Sequence, residues 1–441
     1  LNSQEMVLYL ATDQVTRITI TTATGYSQTI TSPATPAVIT SNPLPKTGTQ
    51  DVTLKGETSG LTGENKGIHI TSDKPIVAYA HVYNASISGA TILFPTNTLG
   101  KTYYSINYTQ TSNEDQSNCW FYVVATDTGT TYVRITPSAN TLNHAAGVPF
   151  IVTLTQGQIF NVMGQISGNN GVDLTGSKIE SITVGKINIT CGGTANNSAD
   201  NYMVQSFPKA AWGKRFMTVP TAIMVNNFFR ICLSDTPTVV RVDGVPITTR
   251  PVNGFYYEIS ANTPKYIESD KPITVAQYIT TRGSCGNPNT NNGDPEVIYL
   301  SPVEQNISTV LWNATPNSAI QEHYFNVVIP NSGTAISSFR LDGAAVAASE
   351  FTPFPGNGSY SYLQKSLTSS GTHIIKSDSG FNAIAYGYGS AESYGYNAGT
   401  NIKDLENEIE PVNQIGDTIN NLATKICANT PFYLTVRFTF E

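Results

Sequence analysis

The chain has 441 residues, too long for one ordinary core and enough for about two to four domains. Only 12% of residues are charged, about half the usual share for a soluble domain, and Thr, Ser, Asn, Gly and Tyr fill the gap. A net charge of −7 gives no basic footprint for nucleic acid, and no run of 18 apolar residues offers a transmembrane helix.

Leu1-Asn2 opens the chain with no leader ahead of it, and the chain is read as a mature or excised piece. The first element is "LYLATDQVTRITIT" at Leu8–Thr21: an apolar strand, a polar turn, then an alternating strand. "ITSDKPIVAYAH" at Ile70–His81 follows, then "FPTNTLGKTY" at Phe94–Tyr103. All three blocks return in the same order. "YVVATDTGTTYVRIT" begins at Tyr122, "FFRICLSDTPTVVRVDG" at Phe228 and "YFNVVIPNSGTAISSFRLDG" at Tyr324. Their turn residues Asp13, Asp127, Asp235 and Asn331 lie 114, 108 and 96 residues apart. The Ser-Asp block returns as "IESDKPITVAQY" at Ile267–Tyr278 and "IIKSDSGFNAIAYGY" at Ile374–Tyr388, with "IESITVGKINIT" in its place in the second copy. "FPKAAWGKRF" at Phe207–Phe216 repeats the Phe-Pro block, and "SPVEQNIST" at Ser301–Thr309 holds its place without Gly-Lys. Shared order indicates internal repetition.

The residue before a proline is driven into extended backbone, and proline fixes φ, so Ser-Asp-Lys-Pro reads as a polar turn leading into a strand. The apolar run that follows predicts a strand buried on both faces, so the motif is structural, not an exposed binding site. The fold class expected is all-β: four tandem repeats of roughly 100 residues, at 1–110, 111–222, 223–318 and 319–400. Each is expected to be a β-sandwich-like module; a β-propeller with two blades per repeat is the alternative. Residues 401–426 read as a linker with helical character, interrupted by Pro411, and 427–441 as the start of a truncated Ig-like domain.

Several groups are weighed for chemistry. His69, His81, His144, His323 and His373 show no HExxH or other metal-site spacing and read as structural. No GxSxG elbow, Walker loop or dinucleotide fingerprint occurs. The loop "CGNPNTNNGDPEVIY" offers Asn289, Asn292, Asp294 and Glu296 around Gly293 as oxygen ligands for calcium, without EF-hand spacing. Tyr386, Tyr388, Tyr394 and Tyr396, separated by glycines, read as exposed rings for stacking on sugars or anchoring a protein. Trp120, Trp212 and Trp312 fall at different phases of the repeat and read as core. Cys119 stands just before the strand pair of the second copy and Cys191 just after its Ser-Asp-equivalent strand, while Cys232 lies in the strand pair of the third copy and Cys285 just after its Ser-Asp strand. Bridges Cys119–Cys191 and Cys232–Cys285 are therefore expected, with Cys427 left over.

"KGIHITSDKPIVAYAHVY", "ATILFPTNTLGKTYYSINY", "FYVVATDTGTTYVRITPS", "DLTGSKIES" and "FPKAAWGKRFMTVP" together resemble the N-terminal domain of the IgGFc-binding protein family. The resemblance runs over roughly residues 5–400, most specifically over 67–243. It implies a domain of large extracellular proteins: a mucus glycoprotein of animals, and bacterial surface proteins in which Ig-like domains follow. The family often places a second cysteine soon after the position of Cys191, whereas this chain reads "TANNSADNYM" there. The function expected is a non-enzymatic extracellular binding or adhesion module on a cell surface, with a glycan or glycoprotein ligand and no cofactor beyond calcium. A secreted carbohydrate-active enzyme and a structural spacer are the alternatives.

Overall fold

The computed structural model describes residues 4–33, 35–84, 87–111, 117–168, 170–183, 185–194, 201–225, 227–280, 292–315, 320–390, 392–405, 409–413 and 432–436, with backbone alone for 111, 189–194, 409–413 and 432–436. The chain is all-β. Its ladders are antiparallel, and the described residues include no α-helix, only one-turn 3-10 segments.

The first set of strands is β1 (Glu5–Thr12), β2 (Arg17–Thr22), β3 (Ser27–Thr31), β4 (Ala37–Thr40), β5 (Ile68–Ser72), β6 (Val77–Asn84) and β7 (Ile87–Leu93). They form an inner sheet, β4-β1-β6-β7, and an outer sheet, β3-β2-β5. Leu8 and Leu10 of the first pack with Ile18 and Ile20 of the second, making the set sandwich-like. The Phe-Pro segment then turns through a 3-10 segment at Thr96–Thr98 into β8 (Thr102–Tyr104).

The second set holds β9 (Gln110–Thr111), β10 (Trp120–Ala125), β11 (Thr130–Thr136), β12 (Phe150–Thr155), β13 (Ile159–Met163), β14 (Ile166–Ser167), β15 (Asn170–Gly171), β16 (Lys178–Ser181), β17 (Ile187–Thr194) and β18 (Asn201–Gln205). Its sheets are β13-β10-β17-β18 and β12-β11-β16-β8, beside a small sheet β14-β15-β9. The third set is β19 (Gly213–Thr218), β20 (Asn227–Leu233), β21 (Val240–Val242), β22 (Val245–Pro246), β23 (Tyr256–Ala261), β24 (Lys265–Ile279) and β25 (Glu296–Tyr299). The fourth is β26 (Ile307–Ala314), β27 (Ile320–Pro330), β28 (Arg340–Leu341), β29 (Ala344–Ala345), β30 (Thr352–Pro353), β31 (Tyr360–Leu367), β32 (Gly371–Gly389) and β33 (Glu392–Gly399). β34 (Ile409–Asn413) pairs with β35 (Phe432–Val436). Ile409–Asn413, inside the stretch expected to be a helical linker, is thus a strand. Pro411 bars a helix interior but suits a two-stranded edge.

Pairing follows one scheme along the chain. The strand carrying the Ser-Asp block pairs first with the second strand of the preceding pair and then with the first. β5 and β6 do so with β2 and β1, β16 and β17 with β11 and β10. In the third and fourth sets one long strand makes both ladders: β24 with β21 then β20, and β32 with β28 then β27. The Ser-Asp-Lys-Pro block is therefore a crossing from outer to inner sheet, where the sequence predicts a turn. A proline fits the crossing, because its missing N–H falls where one ladder ends and the next begins. The following run is buried as expected in the third set, where all seven residues Ile273–Ile279 are buried.

β8, β19 and β26, the strands of the segment that follows the inner strands of one set, hydrogen-bond to β16, β24 and β32 and so complete the outer sheets of the second, third and fourth sets. At the other end of each inner sheet, β7 packs on β18 and β33, and β25 packs on both of those, closing a ring. The main apolar cluster follows this ring from Val7 to Ala398.

Candidate functional site

The turn between the paired strands of the second set is "ATDTGTT". Gly129 has φ +88°, a left-handed backbone that favours glycine, and lets β10 reverse into β11. Around this turn lies an open hollow of about 460 Å³, lined by Thr126, Asp127, Thr128, Thr130, Thr131, Gln156 and Gly185. The Asp127 carboxylate accepts the Lys186 N–H at 2.8 Å, Thr126 donates its hydroxyl to the Lys186 carbonyl at 3.1 Å, and Gln156 donates to the Thr126 carbonyl at 2.9 Å. These bonds tie three chain segments into one rim of hydroxyl, amide and carboxylate groups. Such a rim can exchange hydrogen bonds with a polyhydroxylated ligand, and it lacks a nucleophile–base pair. Sequence reading noted this stretch as part of the repeat and passed over its density of threonines.

The tyrosines expected to face solvent do not. Tyr386, Tyr388 and Tyr394 are 0% exposed and Tyr396 is 3% exposed. Their hydroxyls act inside the ring: Tyr386 donates to Asn326 Oδ1 at 2.9 Å, Tyr396 to the Asn313 carbonyl, and Tyr394 meets His323 Nδ1 at 3.2 Å. Tyr79 joins them from the first set, donating to the Ala398 carbonyl at 2.6 Å, with its ring 4.7 Å from that of Tyr396. The glycines mislead because here they permit close packing. A Cβ at Gly387 would stand 2.5 Å from the Tyr394 ring, and one at Gly395 would stand 2.8 Å from Ile298.

Three of the four residues offered for calcium, Asn292, Asp294 and Glu296, are described. Asn289 lies outside the described residues. Asn292 donates to Glu322 Oε1 at 2.7 Å. Glu296 is 0% exposed; its carboxyl accepts the Val297 N–H at 2.8 Å and the Ala90 N–H at 3.2 Å, and burial raises its pKa well above the ordinary value. Asp294 is buried close to Glu392, whose carboxyl burial pushes up to about 8, with Asp294 adding to the shift. Among the described residues no group of three or more His, Cys, Asp or Glu is placed to hold a metal. Cys119 and Cys232 are buried, and burial pushes the Cys232 thiol up. The side chain of Cys191, and Cys285 and Cys427 altogether, lie outside the described residues. Trp212 and Trp312 are core, at 2% and 0% exposure.

One buried ion cluster escaped sequence reading. Arg230, on β20 and 3% exposed, donates to Asp173 at 2.6 Å, to Glu258 at 2.9 Å and to the Asn107 carbonyl at 2.8 Å. Its guanidinium lies 4.4 Å from the ring centres of both Tyr108 and Tyr256. Asp173, Asn107 and Tyr108 come from the preceding part of the chain, so the cluster locks the third set to the second. No signal short of tertiary contact marks it, since its members are dispersed from residue 107 to residue 258.

No curated protein matches the chain. The family model described as IgGFc binding protein matches residues 89–387. That span takes in the hollow, the Arg230 cluster and Tyr386, stops short of Tyr388, Tyr394 and Tyr396, and covers well over half of the sequence. The chain belongs to the IgGFc binding protein family, and in kind it is an extracellular binding module.

Proposed function

We propose that the chain is a non-enzymatic binding or adhesion module of a large cell-surface protein, with a glycan or glycoprotein as ligand. Family membership carries this reading. A hydroxyl-rich, weakly charged composition and the polar hollow at Asp127 and Gln156 support it, because both favour hydrogen bonding to sugars over charge recognition. The ligand side of the molecule is then the turn end of the strand pairs, where loops are free to vary, and not the buried tyrosines.

A glycan array and a panel of immobilised glycoproteins, including immunoglobulin Fc, test the proposal. Asp127→Ala with Gln156→Ala should lose captured ligand while keeping the melting temperature within a few degrees. Release of sugar from any array member would favour the carbohydrate-active enzyme. Absence of capture across both panels would favour the spacer.

A further inference from the structure

Three of the four outer sheets are four strands wide: β12-β11-β16-β8, β22-β21-β24-β19 and β29-β28-β32-β26. Their last strand always comes from the segment that follows the preceding set. The first outer sheet stops at β3-β2-β5. Among the described residues no strand pairs with the far side of β5.

The missing strand can be specified from the other sheets. In each, an isoleucine stands two residues before the serine of the crossing and faces a bulky residue of the added strand. Ile179 faces Tyr103, Ile267 faces Phe216 and Ile375 faces Val310, and all three isoleucines are 0% exposed. Ile70 holds that position in β5, faces Ile20 of β2, and is only partly buried, with no described strand residue across from it on the side away from β2. The backbone matches as well. The Ile182 N–H donates to the Tyr132 carbonyl at 2.9 Å, so the Ser181 N–H points the other way and donates to the carbonyl of Lys101, just ahead of β8, at 2.8 Å. In β5 the Asp73 N–H donates to the Arg17 carbonyl at 3.2 Å, which turns the Ser72 N–H outward in the same manner. Ser72, Thr71 and His69 are exposed. The fourth set abuts the first through β33 and β7, yet the residues after β33 lead away: Asn401 donates to the Gln305 carbonyl and Leu405 to the Ala210 carbonyl.

We propose that β5 is an acceptor edge for an extended segment of a partner protein. The segment adds as an antiparallel strand, places an aromatic or other bulky apolar residue opposite Ile70, and offers a backbone carbonyl to the Ser72 N–H. The interface continues one the molecule already makes three times with its own strands. Two of those strands carry Gly-Lys-x-aromatic: Gly100 to Tyr103 and Gly213 to Phe216. Main-chain bonds supply affinity and the apolar position supplies selectivity. The proposal rests on the reading of the chain as a binding module and gives that module a protein ligand class.

A synthetic peptide with the sequence of residues 207–220 is the probe, added to the full chain, with a scrambled peptide as control. Saturable binding by fluorescence anisotropy is expected, with amide-exchange protection gained at residues 68–73. Ser72→Pro removes the outward N–H without touching the β2–β5 ladder, and should weaken binding by about tenfold or more with the melting temperature nearly unchanged. Ile70→Ala keeps the backbone edge and should weaken binding by a smaller factor, so the proposal stays testable if the proline variant misfolds. Protection at another edge, equal binding by the scrambled peptide, or indifference to both variants overturns the proposal. So does sedimentation showing a dimer of the chain that Ser72→Pro dissolves, since the occupant would then be a second copy. Failure of the peptide while glycoprotein capture persists sinks the edge alone. Peptide binding with no captured ligand on either panel sinks the functional reading alone.

Discussion

Buried titratable groups, two histidines and a glutamate among them, make the stability of the fold depend on pH. His81 is 0% exposed between the Tyr9 hydroxyl and the Ser88 hydroxyl, each at 3.0 Å, and burial lowers its pKa to about 3 from the ordinary 6.5. His323 is lowered to about 4 for the same reason, with a smaller contribution from His373. Below 6.5 the unfolded chain binds protons that the folded chain refuses, so stability should fall as pH drops through the window down to those values. Denaturant midpoints measured from about pH 7 to pH 4 should decline, and His81→Gln should flatten the decline. Glu392 works in the opposite direction. Its folded pKa of about 8 exceeds the ordinary 4.5, so the stability it contributes at low pH is lost as pH rises between those values. Glu392→Gln should therefore leave the midpoint unchanged in acid and raise it above about pH 8. A variant whose midpoint equals that of the unaltered protein both in acid and above about pH 8 would show that Glu392 is solvated. The crossing aspartates act on the same scale. Asp73 accepts the Arg17 N–H and Asp270 the Val239 N–H, both at 2.8 Å. Asp73→Ala or Asp270→Ala should cost about 0.5–2 kcal/mol of stability and leave ligand capture unaltered.

At the scale of elements, β32 and β33 show what period-two reading reveals and what it hides. The Ser-Asp block predicts β32 as a strand, whereas the glycine-spaced segment after it does not read as one; it forms β33 and pairs with β32, Tyr388 facing Ser393 and Gly387 facing Tyr394. Alternation does not reveal that both faces are covered, because Tyr-Gly repeats look alike on an exposed ribbon and in a packed interior. Truncation separates the two. Tyr388→Ala should destabilise by about 3–5 kcal/mol, the range for an aromatic lost from a core, where an exposed ring would cost little. The turn pairs Asp243-Gly244 and Asp342-Gly343, passed over in the sequence, close two-residue hairpins between β21 and β22 and between β28 and β29. All four residues have positive φ, at 50°, 80°, 51° and 83°, as a two-residue hairpin with that twist requires.

At the scale of the whole molecule, the sets of strands do not stand alone. Forward-pairing strands, the ring of inner strands and the Arg230 cluster join each set to its neighbours. Arg230→Ala should cost about 3–5 kcal/mol, because Asp173 and Glu258 lose a buried partner. Amide exchange should then rise first in β20, β23 and residues 107–108, at the seam. A loss below about 1 kcal/mol would place the cluster in solvent.

The sequence by itself determined that the chain is all-β, where the strand pairs lie, and that one block order recurs. It also carried the family resemblance and the burial of the run after each Ser-Asp block. Those are local facts: alternation, proline geometry and turn residues act within a few bonds of themselves. Only the tertiary structure decided that the Ser-Asp block crosses between sheets, that the Phe-Pro strand belongs to the next set, and that the glycine-spaced tyrosines face inward. It also decided that Arg230 finds Asp173 across a seam and that β5 keeps an open side. Each of these depends on which surface meets which across about a hundred residues of chain, and a strand's own pattern is the same whichever partner covers it.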